Sequence, residues 1–364
     1  MTSYSVKDIA KAVGAEAVGA VDLVLTGVAE PQDAGAGDLA LAMKPKFAEN
    51  LSQGAAKVAM LWPGADWQAL GLEAAILPDR GRFAMASVTK MYDLGHGFKR
   101  GIHPSAVISP NASLGKDVSV GALCVIEAGA RIGDGSMIGP QSYIGFDAQI
   151  GAHAHIHDHV TIAARVKIGD NFICQPGVRI GGDGFSFVTP EKNQVEDARE
   201  ALGQSSVESR QSWVRIHSVG SVTIGNNVEV GANSCIDRGT IRDTSIGNGT
   251  KLDNLVQVGH NVIIGDDCLL CAMVGVAGSS QIGNNVVLGG QTGVADNLTI
   301  GDSVITGGGT VVLANVPKGR FMLGYPAMKM ESQVEAYKGL RRLPRLFADV
   351  AKLKKAVSKP ADSD

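Results

Sequence analysis

An aliphatic residue recurs every six positions through most of this chain. From Ile102 the frame runs through Ile108, Leu114, Val120, Ile126, Ile132, Ile138, Ile144, Ile150, Ile156, Ile162 and Ile168 to Cys174 and Ile180. It resumes at Ile224, Val230 and Ile236, slips by four residues, and continues from Ile246 through Leu252, Val258, Ile264, Leu270, Val276, Ile282, Leu288, Val294 and Ile300 to Thr306 and Val312. A period of six matches neither the helical 3.6 nor the strand period of two. It fits the hexapeptide β-helix, in which each repeat is one short strand and one turn, with the aliphatic residue pointing inward. Three hexapeptides close a triangular coil of about 18 residues, and coils stack at the β spacing of about 4.8 Å. The 29 positions in the frame predict a mainly β prism of about nine to ten coils, roughly 45 Å long.

The residue after the aliphatic one is often glycine, as in Ile132-Gly133, Ile138-Gly139 and Ile144-Gly145. The expected reason is a turn that needs a small or φ-permissive residue. This explains 47 glycines in 364 residues, about 13% against roughly 7% in an average protein. Collagen would need glycine at about one position in three, and an all-helical fold would lose about 1 kcal/mol at each helical glycine. Aromatics are only 5%, which suits a narrow interior filled by Ile, Val and Leu.

Both flanks lack the repeat. Residues 1–100 read as an α/β domain: a capped helix over Ser5–Val13, strands at Lys57–Trp62 and Ala74–Leu77, and a helix over Arg82–Leu94. Ser5 with Asp8 three residues later forms the capping signature. The repeat domain covers 101–325, with a long polar loop at about 185–213 that must lie outside the coils. Residues 326–364 read as a helical extension of two segments joined near Arg342-Leu-Pro344. No apolar run reaches the roughly 18 residues of a membrane span. The N-terminus carries Asp8 and no apolar core of a signal peptide, and five cysteines without disulfide-like spacing suit a reducing cytoplasm.

A prism filled by its own side chains has flat faces and no internal pocket. Clefts must lie between prisms or against a flanking domain, which predicts a homo-oligomer. Chemistry then belongs at the turns. His260 holds the third position of Val258-Gly-His-Asn-Val-Ile263, where a side chain projects off the prism. One 18-residue coil further lies Gly278, in Val276-Ala-Gly-Ser279. A histidine beside an uncovered glycine N–H is the pairing of a general base with an oxyanion donor. Asp253 and Asn254, one turn earlier, are the candidates for orienting the imidazole. The competing reading makes His260 a turn residue with no role.

The segment Leu252-Asp-Asn-Leu-Val-Gln-Val-Gly-His-Asn-Val262 resembles the active-site segment of the UDP-3-O-(3-hydroxyacyl)glucosamine N-acyltransferases of lipid A biosynthesis. Ile236-Asp-Arg-Gly239, Asp183-Gly-Phe185, Ile102-His-Pro-Ser-Ala106, Gly324-Tyr-Pro-Ala327 and Arg342-Leu-Pro344 resemble it too. The resemblance spans nearly the whole chain. It implies a left-handed parallel β-helix, a homotrimer, His260 as catalytic base and Gly278 as oxyanion donor. It implies that the donor is acyl carrier protein, whose phosphopantetheine arm brings the acyl group, and that no cofactor or metal is bound. The acceptor is then a UDP-sugar lipid, with contacts at Gln257, Asn261, Asn297 and, in a uridine-binding N-terminal domain, Lys44, Lys46 and Phe47. Relatives usually read Asn-Pro-Lys-Tyr where this chain reads Lys44-Pro45-Lys46-Phe47. Phe47 keeps a ring to stack on uracil, while Lys44 reaches a phosphate rather than pairing with a base. The alternative for this segment is a basic loop around a core phenylalanine. Asn297 stands where relatives often carry histidine, so any auxiliary acid role is lost there. Val311 and Leu313 stand where relatives often carry methionine, and are expected to help set acyl chain length.

Residues 318–359 carry eleven Lys or Arg against three acids, within a chain of net charge −3. A basic end steers an acidic partner. Lys318, Arg320, Arg341, Arg342 and Arg345 are the candidates for docking acyl carrier protein. Nucleic acid is a poor fit, because the tail lacks interleaved aromatics. His153, His155, His157 and His159 alternate but span a turn, so surface or seam positions are expected rather than a metal site. Cys268 and Cys271 form a lone CxxC that reads as core filling. The other classes in play are an acyltransferase using acyl-CoA or making an ester, a zinc hydratase, and a non-catalytic scaffold.

Overall fold

The structure, a computed structural model, describes residues 2–191, 212–324 and 327–357. Most of the polar loop, Tyr325 and Pro326 of the Gly324–Ala327 motif, and Lys359 of the basic tail lie outside the described residues. The chain divides into two compact units, Met1–Phe98 and Lys99–Asp364.

The second unit is a parallel β-helix whose three faces are sheets of 10, 10 and 9 strands. Every aliphatic position from Ile108 to Val312 falls on a short strand. Register is strict: Ile126 pairs with Ile144, Ile144 with Ile162, and Ile162 with Ile180. The inward residues form one continuous core from Val118 to Val316. At the ends the sequence frame is off by one element. Ile102 makes only an isolated bridge to Val120, and Phe321–Met322 adds a strand beyond Val312. The four-residue slip is a bulge over Arg238–Asp243, so Ile224 pairs with Ile246 across a longer coil.

The expected reason for the glycines is half right. Small size is required, because a Cβ at Gly133 or Gly139 would stand 2.5 Å from backbone of the next coil. Left-handed φ is not their main task, although Gly181 adopts it (φ 86°). That conformation falls two residues later in the turn, at 19 non-glycine residues such as Asp147 (φ 55°), Asn171 (56°) and Asn261 (60°), and at glycines such as Gly129, Gly135 and Gly249. Asn and Asp tolerate it best, because their short side chains bond to nearby backbone.

The first unit is built on a five-stranded sheet. Its order is Glu16–Gly19, Ala74–Leu77, Val58–Met60, Asp38–Leu41, Gly27–Ala29. The first pair is antiparallel and the others are parallel. Alternate residues feed opposite faces. Leu39, Val58, Met60 and Ile76 pack with Val6, Ile9, Ala84 and Val88 of the helices Val6–Val13 and Gly81–Tyr92. Ala40, Ala59, Leu61 and Ala75 pack with Ala48, Leu51 and Trp62 on the other side. Ser5 caps the first helix through a complete capping box with Asp8.

The C-terminal extension differs from expectation. Met330–Val357 is one helix of 28 residues with Pro344 inside it and no buried residue. Proline removes one helical hydrogen bond at about 3 kcal/mol. The strong helix formers on either side carry the helix through.

Candidate active site

Each coil turns through a two-residue corner, and one set of corners is sealed by side chains. The N–H of Asn248 donates to Asp266 Oδ1 at 2.6 Å, that of Asp266 to Asn284 Oδ1 at 2.8 Å, and that of Asn284 to Asp302 Oδ1 at 2.7 Å. The first residue of each turn thus loses its N–H to the same position one coil on. His260 and Gly278 hold that position at a different corner. Gly278 has no side chain to accept from His260, and the Gly278 N–H itself donates to no group among the described residues.

The His260 ring lies against two glycines. A Cβ at Gly278 would be 2.7 Å from Cε1 and 2.8 Å from Nε2, and one at Gly184 would be 2.6 Å from His260 Cβ. Gly184 is held in place by its N–H, which donates to Ser218 Oγ at 3.1 Å. His260 Nδ1 is enclosed and has no partner among the described residues, which leaves Nε2, beside Gly278, as the nitrogen open to a substrate. The nearby carboxylate is Asp237. Burial raises its carboxyl above the ordinary value, while the hydrogen bond from Gln257 and the charge of His260 pull it back down. Gln257 Nε2 donates to Asp237 Oδ2 at 3.0 Å. The arrangement offers a base, an unpaired backbone donor and a counter-ion at one half-buried corner, the set needed for acyl transfer.

The bacterial transferase hexapeptide (six repeats) family matches residues 111–146 and 243–278, the second stretch including both His260 and Gly278. A UDP-3-O-acylglucosamine N-acyltransferase of Ruegeria pomeroyi is 65% identical over 100% of both chains. One of Paracoccus denitrificans is 61% identical over 99% of this chain and 98% of its own. This chain belongs to the UDP-3-O-acylglucosamine N-acyltransferase family. A solved Arabidopsis UDP-N-acetylglucosamine acyltransferase aligns with a TM-score of 0.53 at 22% identity, over 72% of this chain and 86% of that one, a likeness of fold alone.

In this N-acyltransferase Asp253 and Asn254 make no hydrogen bond to the imidazole within the chain. Asp253 Oδ1 accepts from the Asn254 N–H at 2.7 Å, and Asn254 Oδ1 accepts from the Ala232 N–H at 2.6 Å. Their corner is a sealed one, and Asp237 stands beside the histidine instead. Asn261 turns its amide inward: Oδ1 accepts from the Thr240 N–H at 2.6 Å, pinning the 238–243 bulge. Asn297 is exposed two coils on, its amide donating to Asp296 Oδ2 at 3.0 Å. Asp237 was present in the sequence only inside the Ile236–Gly239 motif. Ile236 pairs in regular register with Val258, which sets Asp237 level with Gly259 and beside His260.

In the first unit Lys44 precedes a short helix, Pro45–Ala48, and Phe47 is 40% exposed with Lys46 Nζ 4.8 Å from its ring centre. Phe47 is therefore not a core residue. Lys318 and Arg320 are exposed at the end of the β-helix, and Arg341, Arg342 and Arg345 are exposed on the last helix. Val311 and Leu313 are exposed as well. The histidine run is less superficial than expected. His157 is buried and stacks on His155 with ring centres 4.6 Å apart, while His159 bonds Asp158 at 2.9 Å. Among the described residues no three His, Cys, Asp or Glu converge as metal ligands. Cys268 is buried, its thiol pushed up by that burial, and Cys271 is half-buried. Among the described residues no helix is long and apolar enough to cross a membrane.

Proposed function

We propose that this chain transfers a 3-hydroxyacyl group from acyl carrier protein to the 2-amine of UDP-3-O-(3-hydroxyacyl)glucosamine, giving UDP-2,3-diacylglucosamine for lipid A. The observation that carries this reading is the His260 imidazole lying against Gly278, whose N–H has no acceptor among the described residues. An ammonium has no lone pair with which to attack a thioester. Neutral His260 takes the amine proton as the C–N bond forms. The thioester oxygen becomes an oxyanion and accepts from the Gly278 N–H. Collapse breaks the C–S bond, and the imidazolium returns its proton to the thiolate. One C–N bond replaces one C–S bond, with no redox change, no acyl-enzyme and no bound cofactor. Asp237 is the counter-ion while His260 is charged.

Exposed Phe47 supports stacking on uracil, with Lys44 and Lys46 toward the phosphates. For the acyl chain, Gly275, Gly293 and Val311 follow Gln257 in register along one face. A Cβ at either glycine would meet nothing within 4 Å, which supports a bare strip closed by Val311. A homotrimer is supported by an apolar ladder on another face. Leu269, Val287, Ile305 and Phe321 are in register, and three of them are strongly exposed: Leu269 44%, Ile305 41% and Phe321 67%. The exposed cations at Lys318, Arg320, Arg341, Arg342 and Arg345 suit docking of an acidic carrier. The reaction belongs in the cytoplasm, with the lipid product passed to the inner membrane surface.

The deciding experiment measures hydroxyacyl transfer from the carrier to UDP-3-O-acylglucosamine. Loss of a general base costs about 10²–10⁴-fold, so a His260→Ala chain that folds normally should lose at least about 10²-fold in kcat. Near-normal turnover by that variant refutes the assignment.

A further inference from the structure

The bulge over Arg238–Asp243 creates a second concave site, apart from the His260–Gly278 corner. It stands off one face of the β-helix and walls a cleft of about 510 Å³, within the roughly 300–1,000 Å³ of small-molecule sites. Its lining includes Arg131, Arg165, Lys167, Ser221 and Asp243. Arg131 and Lys167 point outward from the same sheet, two strands apart through Gln149. Arg165 stands at the adjoining corner, one coil after Asp147.

The wall is fixed before any ligand arrives. Arg238 is buried and spans the back of the cleft, Nε donating to Gly220 O at 2.9 Å and Nη2 to Ala164 O at 3.0 Å. Asp243 is spent within the wall, Oδ1 accepting from the Ser221 N–H at 2.8 Å and Oδ2 from the Thr223 hydroxyl at 2.9 Å. Burial and the neighbouring charge of Arg165 lower the Arg238 guanidinium from its ordinary value, while Asp183 and Asp243 pull it back up. Asp147 is the other lining carboxylate, and it stands against three cations. Among the described residues Arg131, Arg165 and Lys167 form no ion pair.

Unpaired guanidinium and ammonium groups around a concave, prebuilt wall suit an anion with several acceptor oxygens. Guanidinium matches phosphate oxygens in bidentate fashion, and lysine adds a point charge. The concavity favours a small group over the flatter face of a docked protein. We propose that this cleft is a phosphoryl-anion site, with Arg131, Arg165 and Lys167 as its ligands. The cleft's coils lie on the N-terminal side of His260. From the coil of Arg165 to that of His260 there are three strand spacings, Ile162 to Ile180 to Ile236 to Val258, or about 14 Å. Two phosphoryl sources come with the proposed reaction, on which this choice of sources rests: the diphosphate of the nucleotide sugar and the phosphodiester of the carrier's arm.

Calorimetric titration of the full chain with inorganic pyrophosphate tests the site without relying on acyl transfer. Arg165→Gln combined with Lys167→Gln should weaken binding at least about tenfold, as expected for lost charge-assisted hydrogen bonds. Arg165→Lys should retain part of the affinity. A rise in KM for the UDP-sugar alone assigns the site to the diphosphate, and a rise for the acyl carrier alone assigns it to the arm. No pyrophosphate binding by the wild-type chain, or equal binding by the double variant, overturns the proposal.

Discussion

The corner at Asn248, Asp266, Asn284 and Asp302 and the corner at His260 and Gly278 are built from the same turn, yet they end in opposite states. At the first, each N–H is closed off by the side chain one coil on. At the second, glycine replaces the side chain, and an imidazole fills the space against it. The closed corner holds coils together at about 0.5–1.5 kcal/mol per hydrogen bond. The open corner gives up that bond and keeps a backbone donor for a substrate. A repeat fold makes a site by leaving one rung of a ladder unbuilt.

The comparison breaks most directly at Gly278. A Gly278→Ala methyl meets a movable ring rather than backbone, so the chain should fold with little change in Tm. The imidazole must shift, and kcat should fall about 10²–10³-fold, the usual cost of disturbing an oxyanion donor. Full activity in that variant would erase the distinction between the corners. Asn284→Ala at the closed corner should do the reverse: urea denaturation should show a loss of about 1 kcal/mol, with kcat unaltered. A fall in kcat there would mean the two corners are not independent.

The smallest effect is expected at Asp237. Its folded carboxyl is raised by burial, so the native state holds its proton more tightly than the unfolded chain does. Stability from this group is then present below the ordinary carboxylate value of 3.8 and declines as pH rises through the higher folded value. Asp237→Asn should remove that decline, so the variant gains on the wild type between acid and neutral pH. Parallel stability–pH curves for the two chains would show that Asp237 carries no such burial cost.

How much of this was readable beforehand depended on whether the information was periodic. The aliphatic frame is periodic, so coil positions, strand register and the stacking of Gly278 on His260 all followed from counting. The glycines were located correctly but explained incompletely. A six-residue period shows where a small residue recurs, not whether φ or the backbone of the next coil demands it. Asp237 follows the frame residue Ile236, which pairs with Val258, so its place was countable; its slot in the repeat is mostly filled by small residues and gives no sign of chemistry. Asp253 and Asn254 looked suitable because they are close to His260 in sequence. Distance along a solenoid is set by coil and corner, and those two residues turn a different corner. Pro344 signals a break because proline usually ends helices, yet the good helix formers flanking it carry one helix through.

The Arg238–Asp243 bulge shows where such a chain tolerates extra length. A whole coil added or removed shifts everything beyond it by one strand spacing, about 4.8 Å, without rotating any face. Four residues added at a corner shift nothing along the axis and only swell the outline. Spacing between features of this molecule therefore changes in discrete notches, while sideways relief changes continuously. A lineage carrying one more or one fewer coil between Arg165 and His260 would keep both features on their faces while resetting the gap between them by a single notch.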